Sequence, residues 1–119
     1  MKKLIASLVL AGALTATATI AAERPKTVIH VINVRFKKEA SKADIDKALN
    51  GAAEMAYPGL KRVWLKGIKN QIAEFPNMIV MEFESEDSLK KYAGSDAQKK
   101  WYALYDKVRD ESRTNDNTN

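Results

Sequence analysis

From Thr27 to Phe36 the chain reads T-V-I-H-V-I-N-V-R-F, β-branched and aromatic residues with no glycine or proline between them, which predicts a strand. Alternation puts Val28, His30, Ile32, Val34 and Phe36 on one face and Ile29, Val31, Asn33 and Arg35 on the other, so both faces carry apolar residues. After a polar break, Ser41 offers a helix cap with Asp44 three residues on, and Ile45, Ala48, Leu49, Ala52 and Ala56 recur at helical spacing. Gly51 weakens that helix by roughly 1 kcal/mol relative to alanine, leaving tertiary packing to hold it. Tyr57-Pro58-Gly59 is expected to end it in a type II turn. Leu60–Lys66 and Asn77–Glu84 alternate as two further strands around a polar connector, Gly67 to Pro76, and pair most simply as an antiparallel hairpin. Ser85 or Asp87 opens a short helical turn bearing Leu89 and Tyr92, stopped by Gly94. Ser95 and Gln98 then fit the S-x-x-Q capping box of a helix whose Trp101, Leu104, Tyr105 and Val108 form an apolar stripe. Beyond Asp110 every residue is polar, and composition favours a frayed tail at 111–119 over a polar edge strand.

Strand, helix, strand, strand, helix in this order predicts an α+β ferredoxin-like layer, an antiparallel sheet with two main helices on one face. The other face would stay open, with apolar side chains from the first and third strands. Such a patch marks an interface. Burying six of these side chains is worth on the order of 10 kcal/mol before association costs, so a homodimer packed sheet on sheet is expected. An apolar cavity would then lie between the sheets. His30 is expected to point into it, because the helix-facing layer (Ile45, Leu49, Ala52, Leu104, Val108) offers no hydrogen-bond partner.

The N-terminus changes the picture of where the protein works. Met1-Lys2-Lys3, the apolar run Leu4–Leu14 and the small residues up to Ala22 have the layout of a secretory signal peptide, cut after Ala22 or Ala18. The run is too short to span a bilayer, which needs about 20 apolar residues. The expected mature chain is a single domain, 23–119, periplasmic or secreted, with no membrane attachment after cleavage. Losing Lys2 and Lys3 takes its net charge from +5 to +3, too little to imply a nucleic-acid partner, and its lysines are scattered. With no cysteine there is no disulfide framework and no thiolate chemistry. One histidine without cysteine makes no metal site, and no phosphate-binding loop, dinucleotide fingerprint or nucleophile elbow occurs, so no cofactor is expected.

The run H-V-I-N-V-R-F (His30–Phe36), the Tyr57-Pro58-Gly59 turn and M-E-F-E-S-E-D-S-L-K-K-Y (Met81–Tyr92) resemble the stress-responsive A/B barrel domain, a family of the dimeric α+β barrel superfamily. The likeness runs from about Thr27 to Tyr105. It implies a ferredoxin-like protomer, a homodimer, and a cavity between helices and sheet or within the barrel. In polyketide-cyclising relatives, it further implies an acid–base pair made of a tyrosine after the third strand and a histidine six residues later, beside a first-strand histidine. Here His30 matches the first-strand histidine and Tyr92 the tyrosine, but Gln98 stands six residues on, and its amide does not titrate near neutrality. Haem-degrading relatives combine an asparagine, a tryptophan and a helix histidine; Asn33 and Trp64 are present without a second histidine.

Two functional readings follow. In the first, the dimer binds a small apolar or aromatic ligand through His30, Trp64, Tyr92 and Gln98 without turnover. In the second, it is a cofactor-independent acid–base enzyme, cyclase-like or monooxygenase-like, with His30 and Tyr92 as catalytic residues. The incomplete acid–base pair favours the first.

Overall fold

The computed structural model describes residues 19–119. Most of the expected signal segment, residues 1–18, therefore lies outside the described residues. Among the described residues no helix is long and apolar enough to cross a membrane.

β1 (Val28–Phe36) is followed by α1 (Lys42–Ala53), β2 (Leu60–Trp64), β3 (Asn77–Phe83), α2 (Glu86–Tyr92), α3 (Asp96–Val108) and β4 (Arg109–Asn117). The four strands form one antiparallel sheet in the order β2-β3-β1-β4, and the helices cover one face of it. This is an α+β ferredoxin-like fold, as the element order implied. β1 is central because it is apolar on both faces. Val28, Ile32 and Val34 are buried on the helix side, across the ladder from Phe83, Ile79 and Asn77. Tyr92, Trp101, Tyr105 and Val108 close the core from above, with Ala48 and Ala52 of α1.

Local chemistry sets the helix ends. Ser41, Ser85 and Ser95 are N-caps whose hydroxyls accept from the backbone N–H groups of Asp44, Ser88 and Gln98. Gly51 lies where α1 meets α3: a Cβ there would come within 2.8 Å of Leu104 Cδ1. Trp101 Nε1 meanwhile donates to the Ala48 carbonyl at 2.9 Å. The glycine that looked like a weakness is what lets the two helices approach.

Several expectations need correction. β4 is a strand, not a frayed tail: from Ile29↔Asn117 to Phe36↔Arg109 it pairs with β1, interrupted by one register shift at Arg35/Phe36. A polar sequence suffices there because an edge strand gains its backbone bonds without burying side chains. α1 ends at Ala53, before the Tyr57-Pro58-Gly59 turn. That turn is closed by Leu60 N–H to Tyr57 O at 3.0 Å. It is not type II, since the positive φ is found at Gly94 and not at Gly59. Gly59 is needed for closeness instead: a Cβ would lie 2.7 Å from Ser88 Cβ. β2 stops at Trp64, and an irregularity between Leu60 and Arg62 shifts its register, so Leu60 and Val63 both pack on the core. The 67–76 connector is not wholly polar, since Phe75 is buried with the guanidinium groups of Arg35 and Arg113 over its ring at 5.6 and 5.7 Å.

Candidate functional site

The β1 row that carries His30 faces the helices. Val28, Ile32 and Val34 share its face and are all buried, whereas Arg35, from the opposite row, pairs with Asp110 and Glu111 at the rim. His30 therefore does not point into a space between sheets. The expectation failed because the helix-facing layer was credited with no polar partner, and that layer omitted β4. Asp116 lies directly across from His30 in the ladder, and its Oδ1 contacts His30 Nδ1. A carboxylate only accepts, so Nδ1 carries the proton of the neutral ring and Nε2 keeps its lone pair. Phe83 meets the imidazole edge-on, with centroids 6.2 Å apart.

Above this pair is a cavity of about 460 Å³ between the sheet and the helices α2 and α3. Val28 and His30 form its floor, and Leu89, Tyr92 and Ala93 of α2 and its cap form one wall. Gln98 and Tyr102 come from α3, and Thr114, Asp116 and Thr118 from the C-terminal end. Its lining is mainly apolar, with polar groups at His30, along β4, and on the helices at Glu86, Lys90 and Gln98. Tyr92 sits at the end of α2, tilted against Phe83 (5.0 Å) and edge-on to Tyr57 (5.5 Å). Its hydroxyl is buried and has no hydrogen-bond partner among the described residues. Burial, with a lesser contribution from Tyr102, pushes the phenol well above its ordinary value of 10.0, so it stays protonated and keeps an O–H to donate. Tyr105 also has an orphaned hydroxyl, but it faces Ser112 under β4 rather than the cavity.

Gln98 serves both as cap and as wall. Its Oε1 accepts from Gly94 N–H at 2.6 Å, and its amide nitrogen reaches 3.5 Å from the Tyr102 hydroxyl. The structure thus gathers His30, Tyr92 and Gln98 in one cavity. Trp64 is not with them: it pairs with Val80 on the open face of the sheet and is 46% exposed. Asp116, Thr114 and Tyr102 were missed in the sequence. The alternation of Thr114 and Asp116 was the available signal, and it was hidden by reading the segment as a tail. A second cleft, about 400 Å³, lies between α1 and α3 over Gly51, Met55 and Trp101 and contains none of the expected site residues. Among the described residues no three His, Asp or Glu side chains are grouped to hold a metal ion.

No family model and no curated protein sequence matches the chain. Solved structures do. A hydroxynitrile lyase from Passiflora edulis superposes with a TM-score of 0.69 at 14% identity, covering 78% of this chain and 93% of its own. A dimeric ferredoxin-like protein of unknown function from Thermobifida fusca gives 0.66 at 10% identity, covering 87% and 100%. A DABB family protein with a ferredoxin-like fold from Mesorhizobium loti gives 0.65 at 14% identity, covering 78% and 96%. At such identities the likeness is one of fold. It agrees with the fold that the stress-responsive A/B barrel resemblance implied.

Proposed function

We propose that this chain is an exported, homodimeric protein of the stress-responsive A/B barrel type whose protomer cavity holds a small, largely apolar molecule bearing one oxygen acceptor. The observation that carries the reading is a cavity lined by both His30 and Tyr92, the latter with a buried hydroxyl that has no partner among the described residues. A buried donor left unpaired costs about 1–3 kcal/mol, which a ligand carbonyl or hydroxyl would recover. The apolar surfaces of Val28, Leu89 and Tyr102 suit an aromatic or alicyclic body. Self-association is supported by the dimeric description of fold neighbours and by the apolar residues on the uncovered sheet face. Export is supported by the signal layout of residues 1–22. N-terminal sequencing of periplasmic protein should begin at or near Glu23, and intact cytosolic chain would count against export.

The test of the cavity is retention and titration. Native mass spectrometry of the purified dimer should show a small bound molecule, and 2-naphthol should bind to the emptied protein. Tyr92→Phe should weaken 2-naphthol about tenfold, the worth of one hydrogen bond. Unchanged affinity would remove Tyr92 from the site.

A second reading is favoured by one observation, the contact of His30 Nδ1 with Asp116. A histidine so held presents Nε2 as a base and has a carboxylate to stabilise the imidazolium. It could take a proton from the carbon next to a bound carbonyl, while Tyr92 donates to the developing enolate oxygen and the proton returns to carbon or oxygen. A hydroxynitrile lyase from Passiflora edulis has the same fold. In D₂O, 2-tetralone should exchange its α-protons faster with the protein than with His30→Ala. Exchange at the buffer rate would leave binding alone.

A further inference from the structure

We propose that the connector between β2 and β3, residues 65–76, is an arm that grips a second copy of this chain, seating Ile68 and Ile72 on the facing sheet. The inference rests on the homodimer reading above. Among the described residues the exposed large apolar side chains are Ile20, Trp64, Ile68 and Ile72. Ile20 belongs to the expected signal segment, and the other three gather at the end of β2 and along the connector. Ile68 is fully exposed, so the protomer itself gives that side chain no packing.

The connector is not a slack loop. A Cβ on Gly67 would lie 3.1 Å from Met78 Cβ, so the chain passes close over β3. Asn70 Nδ2 donates to Asn33 Oδ1 of β1 at 3.1 Å and to the Phe75 carbonyl, while its Oδ1 accepts from Ile72 N–H at 3.1 Å. Arg35 donates to the Glu74 carbonyl at 3.2 Å, and Phe75 is buried with the guanidinium groups of Arg35 and Arg113 over its ring. Met78, Asn33, Arg35 and Arg113 all stand in the rows that face away from the helices. The connector therefore crosses the uncovered side of the sheet and is fastened there. It folds one large apolar side chain inward, Phe75, and holds Ile68 and Ile72 out. Apolar groups kept outside by an ordered segment mark a contact surface.

A second copy is the occupant that this placement favours. The connector lies on the same side of the sheet as Ile29, Val31, Met78, Val80 and Trp64, and Trp64 leads directly into it. A stable interface buries about 800 Å² on each partner, from roughly 20–30 residues. Those five side chains, all but Trp64 already half-buried, fall well short of that. The connector extends the apolar patch without a break. In a two-fold contact each arm acts twice, so four isoleucines enter the dimer together.

Two measurements test the arm in the full mature chain. Light scattering over a dilution series gives the dissociation constant of the dimer. Ile68→Ser combined with Ile72→Ser should raise that constant about 100-fold or more. An unchanged constant overturns the arm and leaves the sheet-to-sheet dimer standing. A natural protein that scatters as one chain at micromolar concentration removes the dimer reading and the arm with it. The second measurement uses the absence of cysteine from the chain: Ile68→Cys introduces a single thiol at a position with no packing in the protomer, so folding is undisturbed even if the double variant fails to fold. An aromatic disulfide reagent should label that thiol about tenfold more slowly in the dimer than after dilution below the dissociation constant. Equal labelling rates in a chain that still dimerises overturn the proposal.

Discussion

At the scale of residues, two tyrosines with orphaned hydroxyls separate structural from functional burial. Tyr92 and Tyr105 are both held neutral, chiefly by burial, with their pKa values raised from 10.0. The fold therefore keeps protons that the unfolded chain gives up as pH passes 10, and the two phenols favour folding fully below that pH and progressively less above it. Urea unfolding should show stability falling above about pH 10, more gently in Tyr92→Phe. At neutral pH the same substitution should leave stability unchanged or raise it by up to about 1 kcal/mol, since it removes a buried donor with no partner. A loss of 2 kcal/mol or more would mean that the hydroxyl has a structural partner. His30→Ala should cost about 1 kcal/mol, because its partner Asp116 is half exposed and can return to water.

At the scale of elements, α1 and α3 show how much packing a sequence pattern conceals. Gly51 reads as a defect in a helix, yet it sits where a side chain would strike Leu104 Cδ1 and press on Trp101. Gly51→Val should destabilise by about 2 kcal/mol through overpacking between the helices. A neutral result in thermal unfolding would show that Leu104 gives way freely. The periodic elements were legible: the Trp101, Tyr105, Val108 stripe and the serine caps at 41, 85 and 95 are as the spacing implied. β4 was not legible, because a polar edge strand is stabilised by backbone pairing that leaves no hydrophobic signature. Missing that strand also displaced His30. Without Asp116 the helix side looked unable to host an imidazole, so the ring was assigned to the wrong side of a sheet whose two faces are both apolar. The site was legible in its His30, Tyr92 and Gln98 members. Trp64 was carried along only because strand alternation cannot say which row faces the helices.

At the scale of the whole molecule, the proposed dimer turns on the uncovered sheet face. Across its centre run Ile29 and Val31 of β1, Met78 and Val80 of β3, and Trp64 of β2. β4 adds only polar residues, and the 67–76 connector covers the Asn33 end, where Asn70 Nδ2 donates to Asn33 Oδ1 at 3.1 Å. The apolar stripe is therefore narrower than two fully apolar rows would give, and it is flanked by Glu82. This carboxylate is already 94% shielded, with Arg62 Nε at 3.1 Å but not aligned for a hydrogen bond, and Thr27 Oγ1 donating at 2.8 Å. A patch of this kind, apolar at its centre and polar at its rim, fits an isologous contact with a second copy. Val31 and Val80 face each other across the β1–β3 ladder at the middle of the stripe. In a two-fold contact, Val31→Lys would bring two ammonium groups into that centre and leave both without partners. Light scattering at micromolar concentration should give about twice the chain mass for the natural protein and about one chain mass for Val31→Lys. Binding of 2-naphthol should survive in that variant, because the cavity lies on the opposite side of the sheet. A natural protein that scatters as one chain would refute the sheet-to-sheet dimer, and a variant that still scatters as two would place the contact elsewhere on the surface.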